Sequence, residues 1–155
     1  MNDVTARPNT LPWPPIIFLA AIAVSVILNV VYPLPWFGQP LSGVLFVLGW
    51  LMIAAFVALN ISAVRVMRGA GTTVRPDRGT DHLVTAGPFS FTRNPLYVAG
   101  TMLVLGIGLV SGIVWFLLLA ILAAFTVQKL AIEREERHLQ ARFGETYLDY
   151  ASRVR

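Results

Sequence analysis

The chain contains no cysteine. Disulfide stapling, thiolate chemistry, cysteine-based zinc sites and iron–sulfur clusters are thereby excluded. Charge is the second shortage. Only 13 % of the 155 residues are charged, against about 25 % in a typical soluble domain. The shortage is also uneven. Four stretches, 15–32, 42–64, 95–110 and 111–128, make up nearly half of the chain and hold none of its charged side chains. All of the charge falls in the other half. With 56 % hydrophobic residues and a mean hydropathy of +0.69, a single water-soluble globule is excluded. What remains is a small polytopic membrane protein with a compact polar part.

A helix crossing a hydrocarbon core of about 30 Å needs roughly 20 apolar residues. Stretches 15–32 and 42–64 meet that directly. The apolar run 95–128 would reach about 50 Å as one helix, at about 1.5 Å per residue, which is too long for one crossing. A hairpin folded at Ser111-Gly112 resolves the excess. The expected fold is therefore all-α: one membrane domain over 1–155, with spans 15–32, 42–64, 95–110 and 111–128, a loop at 67–94 and a polar tail at 129–155. The first stretch reads as a retained span and not a signal peptide, because only Arg7 precedes it as a basic residue and no A-x-A-like site follows.

The basic residues fix an expected orientation. Arg7 precedes the first span, Arg65, Arg68, Arg75, Arg78 and Arg93 lie between spans two and three, and Lys129, Arg134, Arg137, Arg142, Arg153 and Arg155 lie in the tail. The connections 33–41 and 110–112 carry none. The positive-inside rule then places both termini in the cytoplasm, in a bacterial or archaeal inner membrane. A pI near 10.1 follows from this topology and from anionic head groups, so no nucleic-acid partner is expected. The tail carries Ile132, Leu139, Phe143, Tyr147, Tyr150 and Val154 at helical spacing, which predicts a cytoplasmic amphipathic helix. Gly144 is expected to end its first part as a left-handed cap.

Two segments carry most of the polar chemistry. One is Gly87-Pro88-Phe89-Ser90-Phe91-Thr92-Arg93-Asn94-Pro95-Leu96-Tyr97 and the other Glu133-Arg134-Glu135-Glu136-Arg137-His138-Leu139. Pro95 suits the first turn of a helix, with Asn94 as its N-cap. An antiparallel hairpin returns the end of span four to the face where span three begins, so Arg93, Asn94 and Tyr97 are expected near Glu133–Glu136. Glu133 and Arg137 are an i, i+4 pair. Tyr97, Tyr147 and Tyr150 also suit an interfacial aromatic belt. Asn29 and Asn60 are expected to bond between helices, because facing lipid is costly. Gly100, Gly106, Gly108 and Gly112 are expected to bring the hairpin helices close. His82, near Asp81 and Arg78, reads as a loop histidine, and His138 as a group on the charged helix.

The pattern G-P-[FY]-x-[FY]-x-R-[HN]-P-x-Y, an apolar hairpin, then E-E-x-x-L-x-x-x-F-G-x-x-Y-x-x-Y resembles the isoprenylcysteine carboxyl methyltransferase and phospholipid methyltransferase superfamily. It is met here by Gly87–Tyr97, by Glu135 to Gly144, and by Tyr147 and Tyr150, over about half of the chain. The resemblance implies S-adenosylmethionine as cofactor, in a cytoplasm-facing pocket above the hairpin. It also implies membrane lipids as partners and a lipophilic methyl acceptor entering from the bilayer: a prenylcysteine-like carboxylate, a lipid or a hydrophobic thiol. Arg93 and Tyr97 are then the expected catalytic residues, and Arg93, Asn94, Pro95, Tyr97, Glu135 and Glu136 the cofactor-binding set, with no metal. Arg93 suits the cofactor's carboxylate, the glutamates its amino or ribose groups, and Tyr97 its sulfonium or adenine. Many members have His at the position of Asn94, and a basic residue is common at that of Ser90. Asn hydrogen-bonds but does not titrate near neutrality. Two other readings stay open: an NADPH-binding enzyme like the sterol reductases, which share an R-[HN]-P-x-Y segment, and an accessory membrane protein without turnover.

Overall fold

The computed structural model describes residues 12–71 and 83–154. Arg7, Arg75, Arg78, Asp81, His82 and Arg155 lie outside the described residues. Those described are helical, with no strand: α1 (Trp13–Val31), α2 (Leu41–Gly69), α3 (Pro95–Ser111), α4 (Val114–Val127), α5 (Glu133–Phe143) and α6 (Glu145–Arg153). A short 3-10 turn, Gly87–Ser90, precedes α3, and one π-helical turn, Gln128–Ile132, joins α4 to α5.

Three helical runs are long and apolar enough to cross a membrane: Trp13–Val31, Leu41–Gly69 and the continuous run Val114–Phe143; α3 is a shorter apolar helix. Prolines set several limits. α1 carries proline in its first turn and ends before Pro33 and Pro35, which cannot continue a helix. α2 runs past the expected end of its span, through Arg65 and Arg68, so the first residues of the expected loop are helical.

α3 is central, packing against α2 on one side and against α1 and α4 on the other. The core brings Phe18 and Ala21 of α1 together with Val104 of α3 and with Phe116, Ala120, Ala123 and Val127 of α4. Alanines along α4 let the α1 backbone approach. At the far end, Trp115 Nε1 donates to the Tyr32 carbonyl at 2.8 Å, tying the start of α4 to the end of α1.

The glycines divide their work differently from the expectation. Only Gly108, against Phe116, and Gly112, the left-handed residue between the helices (φ 70°), serve the α3–α4 hairpin. Gly100 lies against the Phe18 ring of α1, and Gly106 meets Gly49 of α2. Asn60 bonds within its own helix, to the Phe56 carbonyl at 3.0 Å, not between helices. Ser25, fully buried in α1, does the same with the Ala21 carbonyl at 2.7 Å. Gly144 has positive φ but ψ −127°, so it breaks the tail in a conformation other than the left-handed helical cap. The positive φ still favours glycine.

Candidate functional site

The site lies where α3 begins and α5 follows α4. Its first wall is built by the turn before α3. Gly87 has φ 61° and sits against Val66 of α2, and Ser90 Oγ donates to the Gly87 carbonyl at 2.7 Å. Thr92 Oγ1 accepts from the Asn94 backbone N–H at 3.3 Å, and Pro95 opens α3. Asn94 occupies the N-cap position, but its side chain makes no capping hydrogen bond. The bend displays Arg93 toward α5.

The second wall depends on the π turn. One extra residue in a helix rotates its C-terminal remainder by roughly 100° at 3.6 residues per turn, and such turns often mark functional sites. Beyond it, Glu135 and Glu136 face the start of α3. Tyr97 Oη donates to Glu135 Oε2 at 2.7 Å, and Arg93 Nη2 pairs with Glu136 Oε1 at 3.0 Å, with each side chain 26 % exposed. Two segments distant in the chain are thus joined by two contacts.

Between them is a cleft. Its apolar lining comes from Met67, Leu83, Val84, Phe89 and Leu139, and its polar lining from Arg93, Asn94, Glu135, Glu136, Tyr147 and Tyr150. The enclosed part is about 50 Å³, room for only a few waters at about 10–15 Å³ each; the rest is open at the mouth. Among the expected site residues, Pro95 is fully buried beneath the cleft and shapes the start of α3. Tyr97 does not line the cleft; it stands behind Glu135. Glu133 faces away and pairs with Lys129 at 2.6 Å, not with Arg137, which donates to the Glu133 carbonyl instead. His138 is 4 % exposed, so it is a buried group.

Tyr147 and Tyr150 are buried, not interfacial, and both line the cleft. Their spacing places them on the tail's apolar stripe, but spacing does not show where a hydroxyl points. Tyr150 Oη donates to the Phe89 carbonyl at 2.6 Å, strapping α6 to the turn before α3. Tyr147 Oη and Arg93 Nε are both buried without a hydrogen-bond partner among the described residues.

The electrostatics follow from this packing. Burial raises the Glu135 carboxyl above its ordinary range, aided by Glu136 and opposed by the Tyr97 hydrogen bond and by His138. Burial likewise raises the Tyr147 hydroxyl, with Glu136 adding and Arg93 opposing. The Tyr150 hydroxyl is pushed up to about 12, chiefly by burial and then by Tyr147. Because its folded pKa lies above the ordinary value of about 10, the stability tied to the neutral hydroxyl is complete below pH 10 and is lost as pH rises through about 12. Tyr150→Phe is expected to lower stability by about 0.5–1.5 kcal/mol at neutral pH. Its melting temperature should also fall less steeply than the wild type's as pH rises through that alkaline range. Parallel alkaline profiles of the two proteins would contradict the strap.

The phospholipid methyltransferase family model matches residues 44–146, about two thirds of the chain and both segments of the cleft. Two curated relatives are similar. A nickel-cobalt-cadmium resistance protein, NccN, of Alcaligenes xylosoxydans xylosoxydans is 40 % identical over 78 residues, covering 50 % of this chain and 36 % of the relative. A cobalt-zinc-cadmium resistance protein, CzcN, of Cupriavidus metallidurans is 29 % identical over 119 residues, covering 77 % of this chain and 51 % of the relative. The chain spans about half the length, or less, of these relatives. No solved structure matches.

Proposed function

The chain belongs to the phospholipid methyltransferase family, and from that premise we propose that it transfers a methyl group from S-adenosylmethionine to a lipophilic acceptor at the cytoplasmic membrane face. The acceptor is a prenylcysteine-like carboxylate, a lipid or a hydrophobic thiol. The observation that carries this reading is the junction of Arg93–Glu136 and Tyr97–Glu135 beside one apolar-walled cleft.

The proposed setting is a single membrane domain with four spans, the fourth being the hairpin partner of α3. With 17 residues, α3 is about 26 Å long at about 1.5 Å per residue, close to the thickness of a hydrocarbon core. The charge distribution supports cytoplasmic termini and an inner membrane of bacterial or archaeal type. α5 and α6 then lie on the cytoplasmic side, α6 with its tyrosines inward.

The residues fit a zwitterionic cofactor. Opposite charges face each other in the cleft, and Arg93 keeps a buried Nε–H without an acceptor among the described residues. Arg93 would bind the carboxylate end, Glu135 and Glu136 the amino group or ribose hydroxyls, and Asn94 would add a hydrogen bond at the rim. Tyr97 acts through Glu135, holding that carboxylate in place. The bound cofactor supplies a methyl group on an already activated leaving group. The protein's part is to align the reactants and keep water out. A carboxylate acceptor needs no deprotonation, whereas a thiol or an amine must first lose a proton, for which the raised Glu135 is the available base. The enclosed volume is well below the about 300–1,000 Å³ of ligand pockets. Binding therefore uses the open mouth and loosens the Arg93–Glu136 pair.

Titration of the purified chain with S-adenosylmethionine and, separately, NADPH tests the reading. Micromolar binding of the first is expected. Binding of NADPH alone would favour the reductase-like alternative, and binding of neither an accessory protein.

A further inference from the structure

One face of α2 is exposed along its length. Leu51, Ala54, Ala58 and Ile61 are exposed and recur every three or four residues, the spacing of one helix face. α2 is long and apolar enough to cross a membrane, and that face then meets lipid. The same spacing continues into Arg65 and Arg68, which are also exposed. At 3.6 residues per turn these arginines lie about 60° apart around the helix, with Val66 and Met67 on the opposite side. Val66 meets Gly87, and Met67 lines the cleft. The two arginines therefore face away from the cleft.

α4 supplies the comparison. Its exposed stripe, Leu118, Ile121 and Phe125, also runs into a cation, Lys129, but that ammonium is held by Glu133 at 2.6 Å. Arg93 and Arg153 are likewise met by carboxylates. Arg65 and Arg68 have no ion pair or side-chain hydrogen bond among the described residues. Their Cβ atoms, three positions apart on a helix, are about 5–6 Å from each other, and each guanidinium offers a planar fork suited to phosphate. The rise from Ala54 to Arg65 is about 16 Å, close to half of a hydrocarbon core of about 30 Å. A phosphate joined to an acyl chain matches that order and that length.

We propose that the outer face of α2 is a binding site for an anionic phospholipid, its phosphate on Arg65 and Arg68 and an acyl chain along Ala54, Ala58 and Ile61. The unpaired guanidiniums choose the sign of the head group, and the apolar stripe that ends on them requires a lipid. The bound lipid is a partner and not the methyl acceptor, because the site faces away from the cleft. It goes beyond the methyl-transfer reading and stands whether or not the cleft turns over.

The test titrates the full-length chain in detergent with dioleoylphosphatidylglycerol and with dioleoylphosphatidylcholine, bound lipid being read by native mass spectrometry. The two share their acyl chains, and only the first carries a net negative charge. The wild type is expected to bind the anionic lipid about tenfold more tightly. Arg65→Gln/Arg68→Gln should cut that preference to about twofold or less, with the melting temperature in detergent unchanged because both side chains are exposed. Lys129→Gln/Arg134→Gln removes the same net charge elsewhere and should keep the preference. Equal loss in both double variants would reduce the effect to overall charge and overturn the site, as would a wild type without preference. sn-Glycerol 3-phosphate separates a lipid from a soluble phosphate. It should leave lipid binding unchanged, and displacement of the lipid by it would overturn the assignment. If the Arg65 and Arg68 double variant does not fold, each single substitution, expected to lose about threefold, decides in the same way.

Discussion

Arg93→Ala is expected to weaken S-adenosylmethionine binding by about tenfold to a hundredfold, the range of a lost charge-assisted hydrogen bond of about 1.5–3 kcal/mol. Arg93 pairs with Glu136 through Nη2 and also lines the cleft. Its removal takes away the ligand's cationic contact and leaves two glutamates facing an incoming carboxylate. The fold should be far less affected. Both side chains of the Arg93–Glu136 pair are 26 % exposed, and a pair that solvent still reaches contributes about 1 kcal/mol. Binding and melting thus respond unequally. Glu136→Gln releases Arg93 without adding a cavity and should change affinity less than Arg93→Ala does. Wild-type affinity in Arg93→Ala, measured by the same titration, would remove Arg93 from the site.

The largest loss of stability is expected from Gly106→Leu. A Cβ at Gly106 would lie 2.8 Å from Ile53 Cγ1 and 2.9 Å from the Gly49 carbonyl oxygen, and a Cβ at Gly49 would meet the Gly106 carbonyl oxygen at 2.9 Å. A side-chain rotamer cannot relieve a clash with backbone, so α2 and α3 must move apart. Overpacking of this kind costs typically about 1–3 kcal/mol, and a helix-to-helix backbone contact belongs at the upper end. The damage reaches the site, because α3 carries Tyr97 and begins beside Arg93. Gly69→Ala is the contrast: nothing among the described residues lies within 4 Å of its Cβ position, so a change of no more than about 0.5 kcal/mol is expected. Thermal melts in detergent, followed by tryptophan fluorescence, compare the two. Equal midpoints would mean that α2 and α3 do not cross at Gly49 and Gly106.

Much of the helical layout was legible in the residues themselves. Uncharged runs require helices, because apolar length and backbone hydrogen bonding leave little choice in hydrocarbon. Pro95 and Gly112 marked the start of α3 and the turn after it. The meeting of Arg93 and Tyr97 with Glu135 and Glu136 was also foreseeable, since a hairpin returns its far end to its origin. The finer assignments were not. Gly106 serves α2, Asn60 bonds its own helix, and Glu133 turns to Lys129. Each depends on which helix face meets which neighbour, and spacing along one helix is silent on that.

By itself, then, the sequence determined the helical class, the membrane-scale apolar lengths, the family motif and the two polar segments, because composition and local periodicity act through neighbours in the chain. Only the tertiary structure decided how those segments divide their work. The π turn at Gln128–Ile132 sets the rotation of α5, Tyr97 is held behind Glu135, Tyr150 is tied to Phe89, and Tyr147 is buried against the cleft. These are matters of direction in space between groups far apart along the chain, and no local preference encodes them.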